Sequence, residues 1–153
     1  MKALVVFYSR TGNTKKVARF MASCLSADLE TLEEGKRRNG IIGYLGAGMD
    51  AIKKKGTDIA LTRFDPSEYD IVLVGTPVWA YTMTPAVLTY LDRNKEMLYP
   101  VVFFWTHGGK LRKTLDILMA ASIKPVTVYE VRDKKVINDD FEKGARDFLE
   151  KLD

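Results

Sequence analysis

The sequence predicts a doubly wound α/β fold: a five-stranded parallel sheet with helices on both faces. Three observations predict it. Five short apolar, β-branched runs recur along the chain, helical patterns lie between them, and 153 residues suit one domain, 1–153, around one core. The runs are Ala3–Tyr8, Asp28–Leu32, Asp70–Gly75, Val101–Trp105 and Val126–Val131. The first, third and fourth are continuously apolar, as strands covered on both faces must be. Spacing alone leaves the strand order open. The order 2-1-3-4-5 completes a doubly wound sheet in a chain of this length.

The helices follow from apolar residues at a period near 3.6. Thr14–Leu25 carries Val17, Ala18, Met21 and Leu25 on one stripe. Pro85–Leu91 carries Val87, Leu88 and Leu91, and Leu111–Ala121 carries Leu111, Leu115, Leu118 and Met119. Phe141–Leu152 carries Phe141, Ala145, Phe148, Leu149 and Leu152. The longest crossover, Glu33 to Tyr69, holds a further helical pattern over Ile41–Lys54, weakened by Gly43, Gly46 and Gly48 at about 1 kcal/mol each.

Composition narrows the function classes. No apolar stretch reaches the roughly 20 residues of a membrane span, and Met1-Lys2 leads straight into a strand, unlike a secretory leader. The single cysteine, Cys24, has no intramolecular partner, so a reducing cytoplasm is expected. Its helical position beside Val17 and Phe20 predicts a buried, structural thiol. No His, Cys or acidic cluster has metal-ligand spacing, so no metal is expected. The net charge of +4 is spread along the chain. Its basic runs, Lys36-Arg37-Arg38 and Lys53-Lys54-Lys55, lack the interleaved aromatics of a nucleic-acid platform.

The sharpest motif is Ser9-Arg10-Thr11-Gly12-Asn13-Thr14, directly after the first strand and at the start of the first helix. A helix start offers unpaired N–H groups and the positive end of a dipole, which suit a phosphate. Ser9, Thr11 and Thr14 add hydroxyls, and Gly12 removes a Cβ, so the backbone can wrap a small anion. The motif is neither a Walker A loop nor the three-glycine dinucleotide fingerprint. Two more loops follow the third and fourth strands, where such a sheet gathers ligands. Gly75–Pro85 carries Thr76, Pro77, Val78, Trp79, Ala80 and Tyr81, with aromatics placed to stack on a flat ligand. Trp105–Lys110 carries Thr106, His107, Gly108 and Gly109, whose glycines let backbone amides approach a ring edge. Trp105 itself is expected to be mainly structural.

The stretch Val5–Ala18 closely resembles the flavodoxin signature: an apolar strand, Ser or Thr, two residues, Gly, one residue, Thr, then Ala four residues later. The likeness continues to Met21, which stands where Leu, Ile or Val is usual, and the later loops extend it along the chain. The resemblance implies a flavodoxin-like fold and FMN as cofactor. It implies that Ser9–Thr14 hold the ribityl phosphate, that Thr76–Tyr81 line one side of the isoalloxazine ring with Trp79 the main contact, and that Thr106–Gly109 line the pyrimidine edge. The length matches short-chain flavodoxins. Three departures stand out: the chain is basic where many flavodoxins are strongly acidic, a basic rim (Arg10, Lys15, Lys16, His107, Lys110, Arg112, Lys113) replaces the acidic cluster many of them have, and Ala80 follows the aromatic where Gly is common.

The function this implies is electron transfer between redox proteins, with acidic surfaces favoured on the partner side. The alternative is an NAD(P)H- or quinone-dependent FMN oxidoreductase, with Tyr81, Met83 and His107 bordering a second-substrate pocket. A receiver-type signalling module needs acidic residues after the first strand and an Asp ending the third. Ser9-Arg10-Thr11 and Gly75-Thr76 stand there instead.

Overall fold

The computed structural model describes residues 1–35, 57–79, 82–109 and 121–152. The helical reading over Ile41–Lys54, that over Leu111–Ala121 apart from its last residue, the site residues Ala80 and Tyr81, and the basic residues Lys110, Arg112 and Lys113 lie outside them. In chain order the elements are β1 (Ala3–Phe7), α1 (Asn13–Leu25), β2 (Asp28–Thr31), a 3₁₀ turn (Pro66–Glu68), β3 (Ile71–Trp79) and β4 (Thr82–Met83). Then come α2 (Pro85–Asn94), β5 (Val101–His107), β6 (Thr127–Arg132), α3 (Asp133–Ile137) and α4 (Glu142–Leu149).

The sheet runs β2-β1-β3-β5-β6, all parallel, which is the expected 2-1-3-4-5 order of five strands. One strand was not expected: β4 pairs antiparallel with the end of β3, Val78 with Met83 and Trp79 with Thr82. The apolar runs show why the sheet is parallel and central. Along β1, Ala3, Val5 and Phe7 enter one core while Leu4 and Val6 enter the other. Strands β3 and β5 divide the same way, Leu73 and Phe104 on one face and Val74, Phe103 and Trp105 on the other. Successive side chains point to opposite faces, so both must be apolar where helices cover both.

On the first face, α1 packs Val17, Ala18 and Met21, α3 packs Val136, and α4 packs Ala145 and Leu149. On the second, α2 packs Ala86, Val87, Tyr90 and Leu91 beside Leu32, Ile59 and Leu98. Gly75 is fixed by packing, since a Cβ there would overlap the buried Phe104 ring. Edge strand β2 is tied down by Glu30, a buried carboxylate that accepts from Arg63 N at 2.6 Å and Phe64 N at 3.2 Å. Cys24 departs from expectation: it is exposed, on the solvent side of the α1 stripe. The sequence placed it near Val17 and Phe20, but the inward face of α1 is Thr14, Val17, Ala18, Met21 and Ala22. Among the described residues, no helix is long and apolar enough to cross a membrane, and no His, Cys, Asp and Glu group could hold a metal.

Candidate functional site

Strand order reverses between β1 and β3, so their C-terminal ends diverge into opposite crossovers and leave a crevice at that edge. The register brings the predicted segments to this edge. Phe7 pairs with Gly75 and Gly75 with Phe104, so Tyr8–Thr14, Thr76–Trp79 and Thr106–Gly109 all lie at the same C-terminal edge of the sheet. Tyr8 N bonds Gly75 O at 3.1 Å and Leu32 N bonds Phe7 O at 2.8 Å, continuing the ladder past β1.

The segment Ser9–Thr14 has the form of an anion cradle. Gly12 is the N-cap of α1 at φ 98°, ψ −12°, and its N–H bonds Ser9 Oγ at 3.1 Å. Its carbonyl receives Lys16 N at 2.9 Å, closing the first turn. No side chain caps the helix and no acidic residue sits in its first turn. The amides of Asn13, Thr14 and Lys15 therefore lie beyond the intrahelical ladder, at the positive end of the dipole. Gly12 has no side chain to offer these amides.

Gly12 has open space around its α-carbon. A Cβ built there meets nothing within 4 Å, so it is the positive φ, rather than crowding by the protein, that calls for glycine. Ser9 uses its acceptor lone pair on the loop itself, which leaves its own proton free. Thr14 is buried, and its Oγ1 lies 2.8 Å from Thr106 Oγ1. That bond ties the loop to the end of β5. When Thr106 donates, the Thr14 proton remains available to an anion. Arg10 and Thr11 are exposed.

Thr76–Trp79 were expected in a loop and instead extend β3, with β4 folding back on them. The Thr76 hydroxyl donates to Pro77 O at 2.8 Å and accepts from Thr84 N at 3.1 Å, which locks the hairpin to the start of α2. Pro77 is the last β3 residue in register with β5, opposite Thr106, and it lies past the β1 ladder, which ends at Gly75, so on that side no ladder bond is asked of it. Trp79 is half-buried. The Tyr8 ring meets it edge-on at 5.7 Å and 88°, and the Arg10 guanidinium lies over it at 5.7 Å from the ring centre. Burial first, then the Glu34 carboxylate, push the Tyr8 phenol above its ordinary value, and Arg10 pulls against them. Sequence reasoning missed Tyr8 as a member of this site. Its position next to Ser9, at the end of a buried strand, was the available signal.

Thr106 and His107 likewise belong to β5, and only Gly108 and Gly109 form the turn. His107 is buried, with Nδ1 2.7 Å from Gly109 O. A carbonyl can only accept, so Nδ1 carries a proton and donates it to Gly109 O. Trp105 is fully buried in the α2-side core. The expected basic rim is smaller than its sequence count. Lys16 turns away to Asp139 at 2.6 Å and Val136 O at 3.0 Å.

The structure thus brings together all three predicted segments within the described residues, and leaves Ala80 and Tyr81 outside them. A phosphate monoester fits the donor set at Ser9–Thr14, and a flat ring fits an edge carrying Trp79 and the Gly108-Gly109 turn.

The comparisons with known proteins agree with this architecture. A flavoprotein from Lactobacillus acidophilus NCFM, crystallised in complex with FMN, superposes with a TM-score of 0.67 at 23% identity, covering 90% of this chain and 97% of that one. Oxidised Flavodoxin 1 from Bacillus cereus matches at 0.54 and 13% identity over 100% of both chains. A flavodoxin from the domain Archaea matches at 0.52 and 17% over 99% of both. At these identities the likeness is one of fold. No curated protein matches in sequence. A family model described as Flavodoxin, however, matches residues 2–151, nearly the whole chain. The chain therefore belongs to the flavodoxin family.

Proposed function

We propose that this chain is an electron carrier, a single FMN-binding domain that passes electrons between redox proteins of the cytoplasm. The cofactor is FMN, in keeping with the family. Bound FMN supplies a ring that accepts and releases electrons. The chain's own residues bind it, orient it and shield it. The observation that carries the reading is the uncapped start of α1, preceded by Ser9, Thr11 and a left-handed Gly12, at the edge that also bears Trp79.

In this reading the amides of Asn13, Thr14 and Lys15, with the Ser9 and Thr11 hydroxyls, hold the phosphate. Thr106 orients Thr14 from behind. Thr76, Pro77, Val78 and Trp79 form one wall with Ala80 and Tyr81, and Thr106, His107, Gly108 and Gly109 form the other. Arg10 adds positive charge at the cradle mouth, which favours anionic ligands and acidic partner surfaces.

The test is a titration of the flavin-free protein. FMN should bind at least tenfold more tightly than riboflavin, which lacks the phosphate, and more tightly than FAD. Equal affinity for FMN and riboflavin removes the assigned role of Ser9–Thr14. Stopped-flow mixing of the FMN-loaded protein with NADH and NADPH then separates carrier from reductase. Reduction within seconds by either nucleotide would make the protein an oxidoreductase.

A further inference from the structure

Arg10 stands in the loop assigned to the phosphate, yet its guanidinium lies over the Trp79 ring on a different strand. No other described side chain joins the phosphate loop to the ring wall through a charge. Tyr8 reaches the same indole, but edge-on and as a neutral ring. Arg10 is exposed, so its side chain can reorient without disturbing the core. One guanidinium thus faces two claims, an indole face and an anion held by its own loop.

The magnitudes decide between them. A charge-assisted hydrogen bond from a guanidinium to phosphate is worth about two to three times an exposed cation–π contact. Arg10 also presents five donors in a planar fork, which suits phosphate oxygens. An anion seated at Ser9–Thr14 therefore draws the guanidinium toward itself, and the indole loses its cation.

We propose that Arg10 is a positioning residue that couples occupancy of the phosphate loop to the environment of Trp79. The inference rests on the reading of Ser9–Thr14 as the phosphate cradle. By linkage the coupling is reciprocal: whatever displaces Arg10 from the indole leaves it free for phosphate. The phosphate end of the cofactor then prepares the wall for the ring end, and ligands lacking a phosphate meet an indole still engaged by Arg10.

The experiment uses inorganic phosphate on the flavin-free full chain, with chloride at matched ionic strength as control. Calorimetry measures binding, and tryptophan fluorescence reads the indole, with Trp79→Phe identifying the part of the signal that Trp79 contributes. The expected result is saturable phosphate binding accompanied by a change in Trp79 emission at the same midpoint. Arg10→Gln should bind phosphate several-fold more weakly through the remaining amides and hydroxyls, with the emission change abolished. Arg10→Lys, which keeps a cation able to reach both places, should retain part of it. Phosphate binding with an unchanged Trp79 signal, or with the same change in Arg10→Gln, overturns the coupling and leaves the cradle intact. Failure of phosphate and FMN alike to bind overturns the cradle and the coupling together.

Discussion

Replacing Gly12 by Ala tests the geometry of the cradle more directly than removing any side chain. Gly12 sits at φ 98°, and a Cβ there touches nothing within 4 Å, so the substitution changes backbone preference and little else in the protein. The left-handed conformation costs a residue with a Cβ about 1–2 kcal/mol. Loss of glycine's freedom in the unfolded chain offsets about 0.4–1 kcal/mol of that, leaving a net of about 1 kcal/mol. For a chain of this size the melting temperature should fall by about 2–4 °C. Where the strain appears depends on whether the loop yields. If the substituted alanine keeps the left-handed conformation, stability falls and FMN affinity holds. If it relaxes in the flavin-free protein, stability is spared and FMN must restore the loop, at a cost of roughly fivefold to thirtyfold in affinity. The two readouts share one strain energy. Gly12→Asn should lose less in both, because Asn tolerates this region. Urea unfolding of the flavin-free variants and FMN titration give the two numbers. If Gly12→Asn loses as much FMN affinity as Gly12→Ala at unchanged stability, the ligand rejects any Cβ at this point, and the argument from φ fails.

Other expectations follow from the packing. Thr14→Val leaves the buried Thr106 hydroxyl without its partner and should cost about 1–3 kcal/mol in urea unfolding. Thr14→Val with Thr106→Val should recover part of that, and strict additivity would deny the coupling. Gly75→Ala drives a methyl group into the Phe104 ring and should destabilise by about 1–3 kcal/mol; Phe104→Leu in the same chain should restore some of it, and an unaffected single variant would contradict the packing. The Tyr69 phenol is pushed up to about 12, first by burial and then by its hydrogen bond to Asp28 at 2.7 Å. The folded protein thus holds this proton more tightly than the unfolded chain, which releases it near pH 10. That contribution is present in full below pH 10 and is lost as pH rises toward 12. Unfolding measured across this window should show falling stability, with a shallower slope in Tyr69→Phe; an equal slope would remove Tyr69 from the account.

Much of this was legible in the sequence because the strands are buried twice over. Runs such as Ala3–Phe7 and Val101–Trp105 need apolar side chains at every position, and that continuity reads directly as a parallel sheet. The turn from β1 into α1 was equally plain, since hydroxyls and a glycine between strand and helix mark a helix start, and Gly12 is its N-cap. Three points were less legible. Extension of β3 to Trp79 was hidden by Pro77, which reads as a loop residue although it stands at the end of the β5 ladder, opposite Thr106 and past the last β1 pair. Exposure of Cys24 was hidden because positions one or two residues from a stripe differ by only part of a turn. The diversion of Lys16 to Asp139 joins residues 123 positions apart, and no local pattern reports such a pairing. Helix α3 was missed for a related reason: its five residues are too short to show a period, and only Val136 is buried.

The extension of β3 has a consequence for how this chain can be altered. Trp79 is joined to Gly75 and Ile71 by an unbroken strand whose early residues are fixed in both cores. A loop absorbs an inserted or deleted residue by changing its path. A strand cannot, because its faces alternate: one residue added between Gly75 and Trp79 would put Val78 where the indole belongs and turn the indole to the opposite side. Length changes that an ordinary surface turn would accept are thus closed to this wall. Variation in what the protein grips or touches must come from exchanging side chains at fixed places along β3, or from the segments on either side of it.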